Sequence, residues 1–256
     1  MTPLLTSKEQ IKNKIWEGLH IVSSHEIDFK HLLALQNIFG LLQDAAYKHV
    51  EARNIGWSDL HKNNQFWMIV KIILKIKRRP EWDEKIKIRT WTTGSDGINA
   101  NRNWMIFDEK GDEIISGISK WLIVNEKSRK IQKMDKNFLD KHSFSEMPFN
   151  YDLNKIPKIQ APEIIASIRA KNSELDINHH INNTNYVKWV FDSEKLNFLS
   201  KNEPKEIEIN FLKESKAGVE IKVGKKIASN NEMYYGIFND RHDSARIRVI
   251  WRKQRL

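Results

Sequence analysis

The chain has 256 residues, a net charge of +10 and not one cysteine. The missing cysteine excludes a disulfide framework, a thiolate zinc site, an iron–sulfur cluster and a cysteine nucleophile. Hydrophobic residues make up 40% of the chain, enough for a packed core, and the positive charge favours anionic partners without choosing among nucleic acid, a membrane surface and an acidic protein.

No stretch of the sequence predicts membrane insertion. The first 14 residues carry four charged side chains and lack the apolar core of a signal peptide. The longest apolar run, residues 66–76, is interrupted by Lys71 and Lys75 and is far shorter than the ~20 residues that span a bilayer. We therefore expect a protein of a reducing compartment that does not insert into a membrane.

The first half of the chain predicts one long helix followed by antiparallel strands. Apolar residues recur at three- and four-residue steps over 32–53, which is the period of an amphipathic helix. From residue 67 the period changes to two, and alternating runs continue at 85–89, 101–108 and 113–124. A polar turn containing Gly111 predicts a hairpin between the last two runs.

The second half repeats this order at an offset of roughly 130 residues, which suggests a tandem duplication. A linker over 134–163 contains Pro148, Pro157 and Pro162. The predicted elements after the linker are a strand at 165–170, a helix over 183–199 and strands near 206–211, 219–223, 233–239 and 247–251. The sequence thus predicts an α+β fold with domains at 1–133 and 164–256.

One polar cluster combines the residue types that hydrolysis needs. Asp176, Asn178 and His180 lie two residues apart between a predicted strand and the predicted helix. A carboxylate, an amide and an imidazole together can orient a water molecule, accept its proton and stabilise an oxyanion. The segment therefore predicts a hydrolytic site.

Two other interpretations of this cluster, a metal site and a helix cap, fit less well. A calcium loop that opens as Asp-x-Asn-x-His requires Gly and Glu where this chain has Ile181 and Val187. The two adjacent histidines lack the helical spacing of a zinc pair. Asn182 or Asn183 can cap the helix, which leaves the cluster itself unexplained by capping. We predict neither a metal nor a cofactor.

The cluster belongs to a longer pattern that resembles the signature of the acyl-ACP thioesterases, a bacterial and plant family that releases fatty acids from acyl carrier protein. That pattern is Leu175-Asp176-x-Asn178-x-His180-Ile181-Asn182-Asn183-x-x-Tyr186-x-x-Trp189. Further similarities in the first half are His49, Arg79-Pro80-x-Trp82, Trp91-Thr92, Arg102-x-Trp104 and Ser119-x-Trp121. The resemblance implies a tandem (double) hotdog, in which a long helix is wrapped by an antiparallel sheet twice.

The resemblance also implies the roles of individual residues. Asp176, Asn178 and His180 correspond to the catalytic groups of the second hotdog, and Glu214 fits a further glutamate on the next strand. The following residue, often cysteine in plant members, is Ser215 here. Because the chain has no cysteine, we expect a water nucleophile, with Ser215 as a weaker alternative. The first hotdog would bind the acyl chain.

The partner implied by the resemblance is an acyl carrier protein, which is acidic and would suit the charge of +10. A related acyl-CoA thioesterase is the nearest alternative. A nucleic-acid-binding module is disfavoured because the cations are spread along alternating strands and no nucleic-acid motif is present. We expect an enzyme of the bacterial cytoplasm, and the sequence leaves open whether it forms a homodimer.

Overall fold

The computed structural model describes residues 10–12, 14–134, 143–151 and 155–254. The chain divides into two compact units, the first made of Met1–Val70 and Lys77–Tyr151, the second of Lys71–Ile76 and Asp152–Leu256. Residues 135–142 and 152–154 of the predicted linker lie outside the described residues. Within the described part of the chain, every helix is too short or too polar to cross a membrane.

The first unit combines helices with an antiparallel sheet. Its helices are α1 (Leu35–Glu51) and α2 (Trp57–Leu60), and a 3-10 turn follows at His61–Asn63. Its strands are β1 (Gln10–Lys12), β2 (Ile15–Ile21), β3 (Gln65–Ile76, of which Lys71–Ile76 count with the second unit), β4 (Lys85–Ser95), β5 (Ala100–Phe107), β6 (Glu113–Asn125) and β7 (Ile131–Gln132). The strand order is β1-β2-β4-β5-β6, and β7 pairs with β6.

Helix α1 packs on this sheet through the apolar stripe that predicted it. The residues of the stripe are buried, among them Ile38, Leu42 and Ala45 at 0–1% exposure. Trp104 on β5 is also buried and donates its indole N–H to the carbonyl oxygen of Leu42 at 3.0 Å. The apolar side chains that recur every three or four residues along α1 thus cover one face of the sheet. The predicted helix is confirmed.

A buried arginine fastens the end of α1 to the sheet. Arg102 donates from Nη1 to His49 Nδ1 at 2.9 Å and to Thr90 Oγ1 at 2.9 Å. Burial, together with the nearby charge of Arg53, lowers the pKa of Arg102 to about 9. Since Nδ1 of His49 accepts from a guanidinium, its Nε2 carries the ring proton and donates to the carbonyl oxygen of Lys14 at 3.2 Å.

The second unit has the same kinds of element in a similar order. A 3-10 turn at Asn172–Glu174 precedes helices α3 (Asn183–Asp192) and α4 (Leu196–Lys201). The strands are β8 (Glu163–Arg169), β9 (Asn202–Phe211), β10 (Glu220–Ser229), β11 (Glu232–Phe238) and β12 (Asp243–Lys253). Residues Lys71–Lys75 of β3 pair with β9, and the antiparallel order continues β9-β12-β11-β10-β8.

The core of the second unit lies between α3 and one face of this sheet. Ile209 on β9 lies opposite Ile247 on β12, and both are essentially fully buried. The rings of Tyr186 on α3 and Phe211 on β9 meet edge to face at 5.7 Å between centroids. Alternation with period two places these apolar side chains on the helix-facing side, as the sequence predicts.

The helix predicted over 183–199 is wrong in one respect, because the structure breaks it between Asp192 and Leu196. Lys195 has extended backbone dihedral angles, and the Glu194 carboxylate is almost fully buried, 2.7 Å from Lys225 Nζ. The hydroxyl of Tyr235 also donates to this carboxylate. A buried carboxylate needs such partners, and the chain turns away from the helix axis to reach them.

One hairpin in each unit is closed by a turn in which an Asp or Asn side chain accepts from the backbone. Asp108 Oδ1 accepts from the backbone N–H groups of Lys110 and Asp112, at 3.0 and 2.9 Å. Gly111 adopts the left-handed conformation that this turn requires, with φ of +87°. In the second unit, Asn239 Oδ1 accepts from the N–H groups of the second and third residues after it. The predicted hairpin is confirmed.

Candidate active site

The polar cluster singled out in the sequence forms a small closed loop before α3. Leu175 and Ile181 pair as an isolated antiparallel bridge at its two ends. Inside this bridge, the N–H of Asp176 donates to the carbonyl oxygen of His180 at 2.7 Å. Outside it, the N–H of Asn182 donates to the carbonyl oxygen of Glu174 at 2.8 Å. These bonds bring the three predicted residues into one short turn.

The side chain of Asp176 holds the turn together. Its Oδ1 atom accepts from the backbone N–H of Asn178 at 2.8 Å and from that of His180 at 3.1 Å. A short carboxylate can reach the amides that follow it, which is why aspartate favours such turns. His179, at φ of +60°, completes the reversal and is exposed, whereas Asp176, Asn178 and His180 are half-buried.

The structure places the fourth predicted residue, Glu214, beside His180. Glu214 Oε2 lies 3.3 Å from His180 Nε2, and the two side chains are 33% and 20% exposed. The N–H of Ile181 donates to the carbonyl oxygen of Ser215 at 3.2 Å, which joins the turn to the segment that carries Glu214. The site therefore has an imidazole and a carboxylate in contact.

Glu214 was expected on a strand, and this expectation is wrong. Strand β9 ends at Phe211, three residues earlier. The N–H groups of Leu212 and Lys213 both donate to the single carbonyl oxygen of Ser244, at 2.9 and 3.3 Å. The regular ladder stops where two donors share one acceptor, so Glu214 lies in the loop between β9 and β10.

Asn182, one of the two residues predicted for this role, caps helix α3. Its Oδ1 atom accepts from the backbone N–H of Thr184 at 3.1 Å and from the Thr184 hydroxyl at 3.0 Å. This satisfies a donor at the start of α3 in the usual way for asparagine.

Glu174 supports the site, a role that the sequence does not predict. Its buried carboxylate accepts from the backbone N–H of Lys171 at 2.8 Å and from the indole N–H of Trp189 at 3.1 Å. Its carbonyl oxygen accepts from the side chain of Asn185 at 3.1 Å. The only signal in the sequence is that Glu174 directly precedes the recognised pattern, of which Trp189 is the last residue.

Two hydroxyl residues without a predicted role, Tyr186 and Ser244, lie next to Ser215, the residue that follows Glu214. Ser215 Oγ donates to Ser244 Oγ at 2.9 Å. Burial raises the pKa of Tyr186, whose hydroxyl lies beside Ser215. These contacts join residues from α3, the β9–β10 loop and β12, which are separated along the chain.

The polar side chains of the site are suited to general acid–base catalysis with a water molecule. Among the described residues, no group of three histidine, aspartate or glutamate side chains is arranged to hold a metal ion. An imidazole and a carboxylate in contact can share a proton taken from a water molecule. The amide of Asn178 belongs to the same turn and can donate to an oxygen that gains negative charge.

Two family models match the chain in sequence order. The model of the acyl-ACP thioesterase N-terminal domain matches residues 14–142, and that of the C-terminal domain matches residues 158–253. The oleoyl-acyl carrier protein thioesterase 2 of Arabidopsis thaliana chloroplasts is 27% identical over 215 residues, covering 76% of this chain and 58% of the relative. The palmitoyl-acyl carrier protein thioesterase of Cuphea hookeriana chloroplasts is 26% identical, covering 67% and 45%. The chain thus spans about half the length of these relatives.

Solved structures share the fold. An acyl-ACP thioesterase from Bacteroides thetaiotaomicron is similar with a TM-score of 0.87 and 22% identity, covering 94% of this chain and 98% of the other. The 12:0-ACP thioesterase from Umbellularia californica gives a TM-score of 0.87 and 15% identity, covering 96% and 100%. These similarities confirm the predicted α+β tandem hotdog. Since the two family models together match most of the chain, the protein belongs to the acyl-ACP thioesterase family.

Proposed function

We propose that the protein hydrolyses the thioester of acyl-ACP and releases a free fatty acid. The observation that carries this proposal is the contact of 3.3 Å between His180 and Glu214, beside the turn held by Asp176. Membership of the family supports the substrate, and related proteins are named for oleoyl- and palmitoyl-acyl carrier protein. The product would be a fatty acid for lipid metabolism.

The proposed reaction uses a water molecule as nucleophile. The water oxygen forms a bond to the thioester carbon while the His180–Glu214 pair accepts its proton. The carbonyl oxygen becomes negatively charged and is stabilised by hydrogen bonds, to which the side-chain amide of Asn178 contributes. The C–S bond then breaks, and the thiolate of the carrier leaves and takes up a proton. Asp176 keeps Asn178 and His180 in place.

We further propose a division of labour between the two parts of the chain. Asp176, Asn178, His180 and Glu214 all belong to the second unit, so cleavage is assigned to 164–256. Binding of the acyl chain is assigned to 1–133, where α1 lies on an apolar sheet. A location in the bacterial cytoplasm, where acyl carrier protein would meet the enzyme, stays a prediction.

The test replaces the carboxylate of Glu214 by an amide of the same shape. Glu214→Gln removes the negative charge and the basic carboxylate oxygen next to His180, and we expect kcat for acyl-ACP to fall about 100-fold, as for the loss of a general base. The matched control is Glu163→Gln, which alters an exposed carboxylate on β8 and should leave kcat unchanged. Wild-type turnover by Glu214→Gln would overturn the assignment of this residue.

The carrier is tested separately with matched substrates. Wild-type protein is assayed with acyl-ACP and acyl-CoA of the same chain length, over a series of lengths. We expect a higher kcat/KM for acyl-ACP. A preference for acyl-CoA would instead make the protein an acyl-CoA thioesterase with the same site.

A further inference from the structure

Three buried hydroxyl groups form a junction next to the His180–Glu214 pair. Tyr186, Ser215 and Ser244 are 3%, 2% and 1% exposed. They come from α3, from the β9–β10 loop and from the start of β12. Ser215 directly follows Glu214 in the chain, so its position limits where the carboxylate can lie.

Ser215 is the centre of this junction because its polar groups face three other segments of the chain, namely the loop before α3, α3 itself and the start of β12. Its hydroxyl donates to Ser244 Oγ at 2.9 Å. Its carbonyl oxygen accepts from the N–H of Ile181, the residue after His180, at 3.2 Å. The phenol of Tyr186 lies beside Ser215, and both the side chain and the backbone of Ser215 lower the pKa of Tyr186 against the larger effect of burial. Ile181 and Ser215, the residues that follow His180 and Glu214, are therefore bonded to each other, and Ser215 is also bonded to Ser244.

The chemistry of the junction is that of neutral groups. Burial is the main reason that the pKa of Tyr186 is raised, and the charges of Glu214 and Asp176 raise it further. The phenol consequently remains protonated at neutral pH. Ser215 Oγ contacts other hydroxyl groups instead of a base, an environment that does not activate a serine nucleophile.

We propose that Tyr186, Ser215 and Ser244 are positioning residues, which hold His180 and Glu214 in contact through the bond between Ile181 and Ser215. This inference rests on the proposed function. The junction acts through the backbone on either side of the reacting groups and does not itself touch the substrate. A serine at position 215 then serves as a hydrogen-bonded support, and water remains the nucleophile.

The first test removes one hydroxyl at a time and separates kcat from KM. Tyr186→Phe and Ser244→Ala are expected to lower kcat for acyl-ACP about tenfold, the effect of one buried hydrogen bond on a reacting geometry. KM should stay within about twofold, because the junction does not contact the substrate. Tyr234→Phe and Ser229→Ala are matched controls, since these hydroxyls bind Glu232 and Asn231 away from the site.

The second test does not depend on hydrolysis. The proton–carbon NMR signal of the His180 ring, assigned by its loss in His180→Gln, should shift in Tyr186→Phe and stay in place in Tyr234→Phe. If Tyr186→Phe leaves both this signal and kcat unchanged, the positioning role is wrong. If the signal shifts but wild-type protein cleaves no thioester, the proposed function fails while the junction stands.

A third measurement addresses the nucleophile directly. Wild-type protein is mixed with acyl-ACP, stopped with acid and digested, and the peptide containing Ser215 is weighed by mass spectrometry. The positioning role predicts an unmodified peptide at every time point. An acyl ester on Ser215 would make this residue a catalytic nucleophile and overturn the inference.

Discussion

Asp176 holds the backbone of the turn that carries Asn178 and His180. Its Oδ1 atom accepts two backbone N–H groups, those of the two other residues in the predicted cluster. The spacing of two that drew attention in the sequence is thus the spacing of an aspartate turn. The carboxylate contributes to geometry through its oxygen and to the local potential through its charge.

These two contributions can be separated by mutation. Asp176→Asn keeps an oxygen that can accept both backbone bonds, whereas Asp176→Ala loses them. If geometry dominates, kcat for acyl-ACP should be at least about tenfold lower in Asp176→Ala than in Asp176→Asn, in line with the loss of two hydrogen bonds. Amide hydrogen exchange at Asn178 and His180 should accelerate only in the alanine variant. Equal and severe losses of kcat would show that the charge dominates.

The sequence predicts individual site residues only where they lie close together in the chain. Asp176, Asn178 and His180 alternate within one short segment and could be identified from their residue types. Glu214 could be chosen only through the family resemblance, since Glu206 and Glu208 on the preceding strand have the same charge. Ser244 bonds to a residue 29 positions away, and no local pattern encodes such a contact.

At the scale of elements, a single arginine connects three parts of the first unit. Arg78, just after β3, forms a bidentate pair with Glu84 at 2.7 and 2.8 Å and also binds Asp108, at 2.8 Å, in the β5–β6 turn. Burial by itself would raise the pKa of Glu84. The hydrogen bonds from Arg78 and from the backbone N–H of Glu81 outweigh this effect and hold the pKa below its ordinary value.

This lowered pKa predicts a pH-dependent stability. A carboxylate whose pKa is lower in the folded state contributes stability above its unfolded pKa and loses it as pH falls through the folded one. Glu84→Gln should therefore lower Tm at pH 7, and the difference from wild type should shrink as pH falls below about 4.5. Thermal unfolding followed by circular dichroism measures the Tm of wild type and variant at each pH. The control is Glu109→Gln, which changes a carboxylate in the exposed turn. A difference in Tm between wild type and Glu84→Gln that does not change with pH would contradict this prediction.

Element prediction succeeded where periodicity and burial agree. Helix α1 and the alternating strands each present one apolar side to the core, and this pattern is visible locally. The break after Asp192 was missed because its cause, the burial of Glu194 against Lys225 and Tyr235, involves residues 31 and 41 positions away. A charged residue in a helical pattern normally faces solvent, so its burial could not be predicted from the pattern.

At the scale of the whole molecule, the charge of +10 bears on how a carrier protein is recruited. We expect the acyl carrier protein proposed as substrate carrier to be acidic, in which case attraction between the two proteins should be screened by salt. We expect KM for acyl-ACP to rise between 50 and about 300 mM NaCl, while KM for a small neutral thioester stays nearly constant. Parallel increases for both substrates would assign the salt effect to the enzyme itself.

Strand β3 has a consequence for recombination within this family. The matched domains suggest that halves could be exchanged between members to combine one chain-length preference with another catalytic half. Yet Lys71–Lys75, from the middle of the first half of the sequence, pair with β9 inside the second unit. A chimaera joined near residue 152 would inherit a foreign neighbour for β9, and its cross-strand pairs, including Lys71 with Glu208 at 2.6 Å, would have to be matched anew. The boundary between the two domains along the sequence therefore differs from the boundary between the two compact units in the structure.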